Sequence, residues 1–267
     1  LVRFETGWIV VSEREKIINL PGVITALICV FAALQCVVQY APETVSETMY
    51  RAFAFIPARL TLLIDPQSLL PAHTTFDYDP QETLEQLRSA LGVSRLSVMT
   101  LLTYAFLHGS WMHFSINALT LAAFGAPVAR RLGDTPFLVF LACGAVVGAL
   151  THYVLHPHDI APMVGASAGI SAAMAAIVRF AFAPGAILGG SQPERGGLHM
   201  PTESLATLAG NRSALIFLMV WLGTNILMGA FPQAFGSSDA VAWEAHIGGF
   251  VFGLLSFAWF EQWARRM

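Results

Sequence analysis

The residues of this chain best suited to chemistry are a serine and a histidine, each set among small and apolar neighbours. Ser167 lies in Met163-Val164-Gly165-Ala166-Ser167-Ala168-Gly169-Ile170, and His246 in Ala245-His246-Ile247-Gly248-Gly249-Phe250-Val251-Phe252-Gly253. A third polar cluster, His108-Gly109-Ser110-Trp111-Met112-His113-Phe114-Ser115-Ile116-Asn117, opens an earlier apolar segment. Polar and ionisable groups in membrane-length segments cost free energy, so they mark functional sites by default. A hydroxyl becomes a useful nucleophile when a neighbouring imidazole takes its proton. The chemistry suggested is attack on a peptide bond inside a bilayer.

The elements that must position these groups are apolar helices. Hydrophobic residues make up 55% of the 267, charged residues only 12%, and the mean hydropathy is +0.62, against roughly 25% charged for soluble domains. Apolar stretches at residues 22–40, 111–129, 135–155, 163–182, 213–232 and 240–260 each approach the roughly 20 residues of a spanning helix, which predicts six crossings. Residues 96–107 are too short to cross and read as a re-entrant or interfacial helix. Residues 1–21 form a polar N-terminal segment, and residues 22–267 are expected to be one catalytic domain. The stretch 41–110 is its long loop with interfacial helices, Ala52 to Ile64 lying in the headgroup plane. A flexible Gly-, Pro- and Ser-rich loop is expected at 183–211.

Six crossings place both termini on one side. Of the 14 Lys and Arg, the four at Arg51, Arg59, Arg88 and Arg95 fall in the one long loop, and the rest lie on the side of the termini. The positive-inside rule then makes the termini cytoplasmic. The short loops on the other side, near 156–162 and 233–239, carry no Lys or Arg. A net charge of −3 and a pI near 6.2 offer no basic field for nucleic acid. No signal peptide is evident, and the compact layout suggests a bacterial inner membrane. Cys29, Cys36 and Cys143 lie within spans at no zinc-motif spacing and read as small apolar fillers. Oligomeric state is left open.

With that topology the second, fourth and sixth spans all run inward from the outer face. Ser110 is a plausible N-cap, which puts His113 one turn into its helix. Ser167 and His246 fall about four and six residues inside theirs, so at about 1.5 Å per residue the three groups share a stratum about 5–9 Å deep. His113 and Asn117, four apart, share a helix face, whereas His108 lies on the opposite side and has another task. Metal binding is the rival reading for several histidines, yet His108 and His113 do not face together and no acid or thiol accompanies them. Structural hydrogen bonding in a helix interface is a second rival for His246 and His108. Small residues at four-residue spacing, Gly144 and Gly148, Gly165 and Gly169, and Ala245, Gly249 and Gly253, predict close helix packing.

His108, His113 and Asn117 match the H-x4-H-x3-N pattern of rhomboid intramembrane serine proteases. Gly165-Ala166-Ser167 resembles their G-x-S motif, and His246, Gly249 and Gly253 their A-H-x2-G-x3-G. Arg130-Arg131-Leu132-Gly133 is also similar to the family. The motifs occur in order on the second, fourth and sixth predicted spans. The resemblance implies an all-α, six-helix membrane bundle, with Ser167 as nucleophile and His246 as its base. It also implies oxyanion donors from His113, Asn117 and the Ser167 backbone, structural support from His108, Gly165 and Gly249, and no cofactor or metal. No Asp or Glu is placed to complete a triad, because Glu244 should point away from His246, so a dyad is expected. Substrates would be transmembrane proteins entering sideways past the fifth span, with Phe217, Trp221 and Asn225 at the gate.

Three positions depart from the family pattern. Ala168 replaces the Gly after the nucleophile, Ser171 stands where an aromatic often stacks on the histidine, and Ala129 occupies a common acidic position. The competing function is an inactive rhomboid-like protein that binds membrane clients without cutting them.

Overall fold

The computed structural model describes residues 2–4, 7–9, 20–71, 79–182, 202–231 and 242–267. The expected loop at 233–239, residues 183–201 of the loop expected at 183–211, and part of the acidic stretch from Asp77 lie outside the described residues, as does most of the N-terminal segment. Within that segment Val2–Phe4 (β1) and Gly7–Ile9 (β2) pair antiparallel, Arg3 opposite Trp8, where no strands were expected. The rest is helical.

Among the described residues, four helices are long and apolar enough to cross a membrane: α1 (Gly22–Tyr40), the continuous helix Trp111–Leu132, α8 (Asp134–Leu155) and α11 (Arg212–Ala230). Their limits fall within a few residues of the sequence expectation. The continuous helix is built from α6 (Trp111–Thr120), a π turn at Leu121–Gly125 and α7 (Ala126–Leu132). Pro127 has no amide hydrogen to give the Ala123 carbonyl, and the helix widens just ahead of it.

Between α1 and α6 the chain folds into α2 (Glu43–Phe53), α3 (Pro57–Ile64), α4 (Pro80–Leu91) and the short α5 (Thr100–Thr103), which is flanked by 3-10 turns at Arg95–Met99 and Tyr104–Phe106. Pro80–Leu91 and Arg95–Phe106 form a pair bent by 54°. Gly92, in the left-handed region at φ 64°, ends α4. The stretch Ala52 to Ile64, expected in the headgroup plane, is largely covered by protein. Residues from Ala54 through Leu62 are buried, Phe55 pairs with Met163 in a β-bridge, and the Ala58 N–H donates to the Asp159 carbonyl at 2.9 Å. This segment is packed protein, held on the loop that leads into Ser167.

The fourth predicted span is also shorter than expected. Residues 163–166 are extended or turned, and α9 covers only Ser167–Val178. Its 12 residues reach about 18 Å, short of the roughly 30 Å hydrocarbon core. α9 can be short because it is the buried centre, with ten of its 12 residues inside. It packs between α8 and α12 (Trp243–Ala264), the last predicted span, while α10 (Leu205–Gly210) leads into α11.

Small residues make that packing possible. A methyl group on Gly249 or Gly253 would come within 2.0 or 2.2 Å of the Ala168 or Ala172 carbonyl oxygen, and one on Gly144 within 2.7 Å of the Ala172 side chain. Lipid supplies no hydrophobic drive between helices, so such close backbone approach is their main source of attraction. Of the predicted packing glycines, Gly165 has a different task, because it precedes α9 in a turn. Cys29 and Cys36 lie on the exposed face of α1, so they fill no core.

Candidate active site

The groups singled out in the sequence converge at the first turns of three helices. Ser167 is the first residue of α9, not about four residues inside a helix as expected. His246 is in the first turn of α12, and His113 in the first turn of α6, whose N-cap Ser110 accepts from the His113 N–H at 3.1 Å. Ser167 Oγ and His246 Nε2 are 2.7 Å apart. Neither side chain faces outward alone, and no other side chain separates them.

The other ring nitrogen has a partner that the sequence reading assigned to a gate. His246 Nδ1 lies 2.7 Å from Asn225 Oδ1, and Asn225, 6% exposed, donates from Nδ2 to the Trp221 carbonyl at 2.8 Å. That second bond fixes the amide orientation, since a flipped amide would set its oxygen against a carbonyl. Asn225 Oδ1 can only accept, so His246 carries its proton on Nδ1 and offers Nε2 to the Ser167 hydroxyl. A neutral amide thus orients the ring where an acid was sought and not found. Glu244 does point away from His246, toward His152 and His156.

Gly165 lies in a conformation open to glycine, at φ 119°. Its N–H donates to the Tyr104 carbonyl at 3.0 Å, and Tyr104 Oη in turn donates to the Ala145 carbonyl at 2.8 Å. A methyl group at Gly165 would meet His113 Nε2 at 2.6 Å and would stand 3.7 Å from Ser167 Oγ. The missing side chain therefore leaves a space bordered by both groups. The Gly109 N–H approaches His113 Nδ1 at 3.5 Å, which favours the tautomer with the proton on Nε2, aimed at that space. The buried Asn117 donates to the His113 carbonyl at 3.0 Å; its bond is to its own helix, and no bond joins it to Ser167. His108, 1% exposed, stands edge-on to the His113 ring at 5.2 Å and packs against Phe31 and Phe114, so it shapes the wall behind His113.

The departures from the family pattern acquire local explanations. Ala168 is helical and 1% exposed, and its methyl group fits because Gly148 lies opposite, where a Cβ would stand only 2.5 Å away. Ser171 is buried, and among the described residues no ring stacks on His246; the hydrogen bond that His246 Nδ1–H donates to Asn225 supplies the restraint instead. Ala129 is buried at 2% exposure, and the carboxylate that meets the neighbouring Arg131 comes from Glu261 on α12, which accepts from Arg131 Nε at 2.8 Å and also pairs with Arg265.

Ser167, His246 and His113 therefore bring a hydroxyl, an oriented imidazole and a polar donor around the space at Gly165, with Asn117 one turn beyond His113, an arrangement suited to acyl transfer. No curated protein matches the chain. The family model described as Rhomboid domain matches residues 95–262, a stretch that carries every one of these groups and Asn225 as well. This all-α membrane protein belongs to the rhomboid family.

Proposed function

We propose that the chain is an intramembrane serine protease that cleaves transmembrane substrates near the outer face of the bilayer. The observation that carries this reading is the 2.7 Å contact between Ser167 Oγ and His246 Nε2, with His246 Nδ1 held by Asn225. His246 Nε2 takes the hydroxyl proton as Ser167 Oγ adds to the scissile carbonyl carbon. The resulting oxyanion is held by the Ser167 N–H, unpaired at the start of α9, by His113 Nε2–H, and by the remaining Asn117 amide hydrogen. The imidazolium then protonates the leaving amine, an acyl ester on Ser167 remains, and water activated by the same ring hydrolyses it.

In this reading residues 22–267 form one six-span catalytic domain, α9 and α12 being the fourth and sixth spans. The termini are cytoplasmic, and the membrane is a bacterial inner membrane. Substrate enters beside α11, the most loosely held of the apolar helices at 11% burial against 33% for α8. A substrate helix must unwind before its carbonyl can reach Ser167, because its amides are otherwise internally bonded, so helix-destabilising segments are preferred.

The test is cleavage of a model transmembrane substrate together with labelling by a fluorophosphonate. Ser167→Ala and His246→Ala should each abolish cleavage, and labelling should require Ser167. A well-folded wild-type protein that neither cuts nor labels would instead be the inactive, client-binding kind of rhomboid-like protein.

A further inference from the structure

The last turn of α8 and the first turn of α12 bring together three side chains that the reaction does not use. His152 and His156 are four residues apart and share one face of α8, and Glu244 reaches across from α12. His156 Nε2 lies 3.0 Å from one Glu244 carboxylate oxygen, and His152 Nδ1 lies 3.7 Å from the other. All three ligand atoms fall within 4.8 Å of one another. Around a tetrahedral zinc ion with bonds of about 2.0–2.2 Å, ligand atoms stand about 3.3 Å apart, and the observed separations bracket that figure.

A second observation points to a missing partner. His152 is 7% exposed, and its Nδ1 has no hydrogen-bond partner, since 3.7 Å to Glu244 is beyond hydrogen-bond reach. A buried ring nitrogen left unsatisfied is destabilising, and a cation seated between it and the carboxylate would satisfy both. The Glu244 side chain is 12% exposed while that of His156 is 44% exposed, so the cluster has a buried floor and one wet side through which an ion could enter. Asp159, in the turn after α8, is close enough to act electrostatically on His152 and adds negative charge to the surroundings.

We propose that His152 Nδ1, His156 Nε2 and the Glu244 carboxylate form a Zn2+ site that ties the end of α8 to the start of α12. Two imidazoles and one carboxylate are the donor set that borderline divalent ions prefer, whereas Ca2+ and Mg2+ require more oxygen ligands and Cu(I) favours sulfur. The fourth position is left to water from the exposed side. The ion braces the helix that carries His246, two residues after Glu244, without touching Ser167, and the site stands independently of the protease reading.

The experiment uses the full chain in detergent micelles, stripped with a chelator and then titrated with Zn2+ against a chromophoric competitor. One Zn2+ per chain is expected, with a higher thermal unfolding midpoint when it is bound. His156→Gln, at an exposed position that carries little risk to the fold, should weaken the affinity at least about tenfold, as should Glu244→Gln. His158→Gln, a neighbouring exposed histidine outside the set, and Ser167→Ala should both bind as the wild type does. Binding weaker than about 100 μM, or stoichiometric binding undiminished in His156→Gln, overturns the assignment and leaves only an ion pair between the histidines and Glu244.

Discussion

Replacing Asn225 by Ala tests the reasoning about the oriented base most directly. In the resting pair, the bond from His246 Nδ1–H to Asn225 Oδ1 at 2.7 Å is neutral, and its net contribution is about 0.5–1.5 kcal/mol. When the ring takes the Ser167 proton the same bond becomes charge-assisted, with a contribution of about 1.5–3 kcal/mol. The difference appears only as the transition state is approached, so it acts on kcat more than on KM. Freed of the amide, the ring can also protonate on Nε2 instead of Nδ1, which removes the acceptor for the hydroxyl. At about 1.4 kcal/mol per decade, the difference of about 1–1.5 kcal/mol should lower kcat about 5- to 12-fold, with a further loss of about a few-fold from the wrong tautomer, and fluorophosphonate labelling of Ser167 should slow in parallel. Asn225→Asp keeps an acceptor at the same place and should retain more activity than Asn225→Ala. The Trp221 carbonyl keeps its helical environment, so thermal unfolding of Asn225→Ala should be little changed. A kcat within twofold of the wild type, in a protein that labels at the normal rate, would refute the claim that Asn225 holds the ring.

Gly165→Ala places a side chain in a backbone conformation that is strained by about 1–3 kcal/mol and drives a methyl group onto His113 Nε2; cleavage of the model substrate should fall below one-hundredth while the protein still purifies as folded. Gly249→Ala collides with the Ala168 carbonyl and should lower the unfolding midpoint by the equivalent of about 1–3 kcal/mol or more, whereas Gly223→Ala, with nothing within 4 Å of its added carbon, should be neutral or slightly stabilising in the same melt. Glu261→Gln leaves the buried Arg131 guanidinium short of its carboxylate, with side-chain exposures of 4% and 10% for the pair; a loss of about 3 kcal/mol is expected in unfolding measurements, with normal labelling of the molecules that remain folded. His113→Ala removes one oxyanion donor and should reduce kcat by about 10²- to 10³-fold, read by steady-state cleavage.

Much of this was legible in the chain because apolar length and capping chemistry are local. The limits of α1, α8 and α11 follow from where apolar runs stop, and Ser110 announces the start of α6 through the bond it offers the His113 amide. Ser167, His246 and His113 could be picked out because a polar group in an apolar helix stands out at any rotation. The role of Asn225 could not be read, since it depends on how α11 is rotated against α12, and α11 is apolar on all sides and so gives no periodic clue to its facing. Asn225 was visible as a polar residue one turn past Trp221, but its hydrogen bond with His246 Nδ1 was not. The same limit hid the partner of Arg131, which lies 130 residues away at Glu261. His152 and His156 are a visible pair, yet Glu244 joins them only through the close approach of α8 and α12. The burial of Ala54 through Leu62 is likewise a tertiary fact: an apolar stretch reads alike whether it meets lipid or protein.

The short helix that begins with Ser167 is locked by absences of atoms. Gly249 and Gly253 meet backbone oxygens of α9, Gly169 sits where an added carbon would strike the Leu141 carbonyl, and Gly148 leaves room for Ala168. A rotation or a one-residue slide of α9 would trade each of these vacancies for a collision, so the azimuth of Ser167 is set by steric interlock rather than by any bond to the hydroxyl itself. Sequence drift should then be uneven. The outward faces of α1 and α11 can exchange one apolar residue for another freely, while a single added methyl along the glycine stripe re-aims the Ser167 hydroxyl.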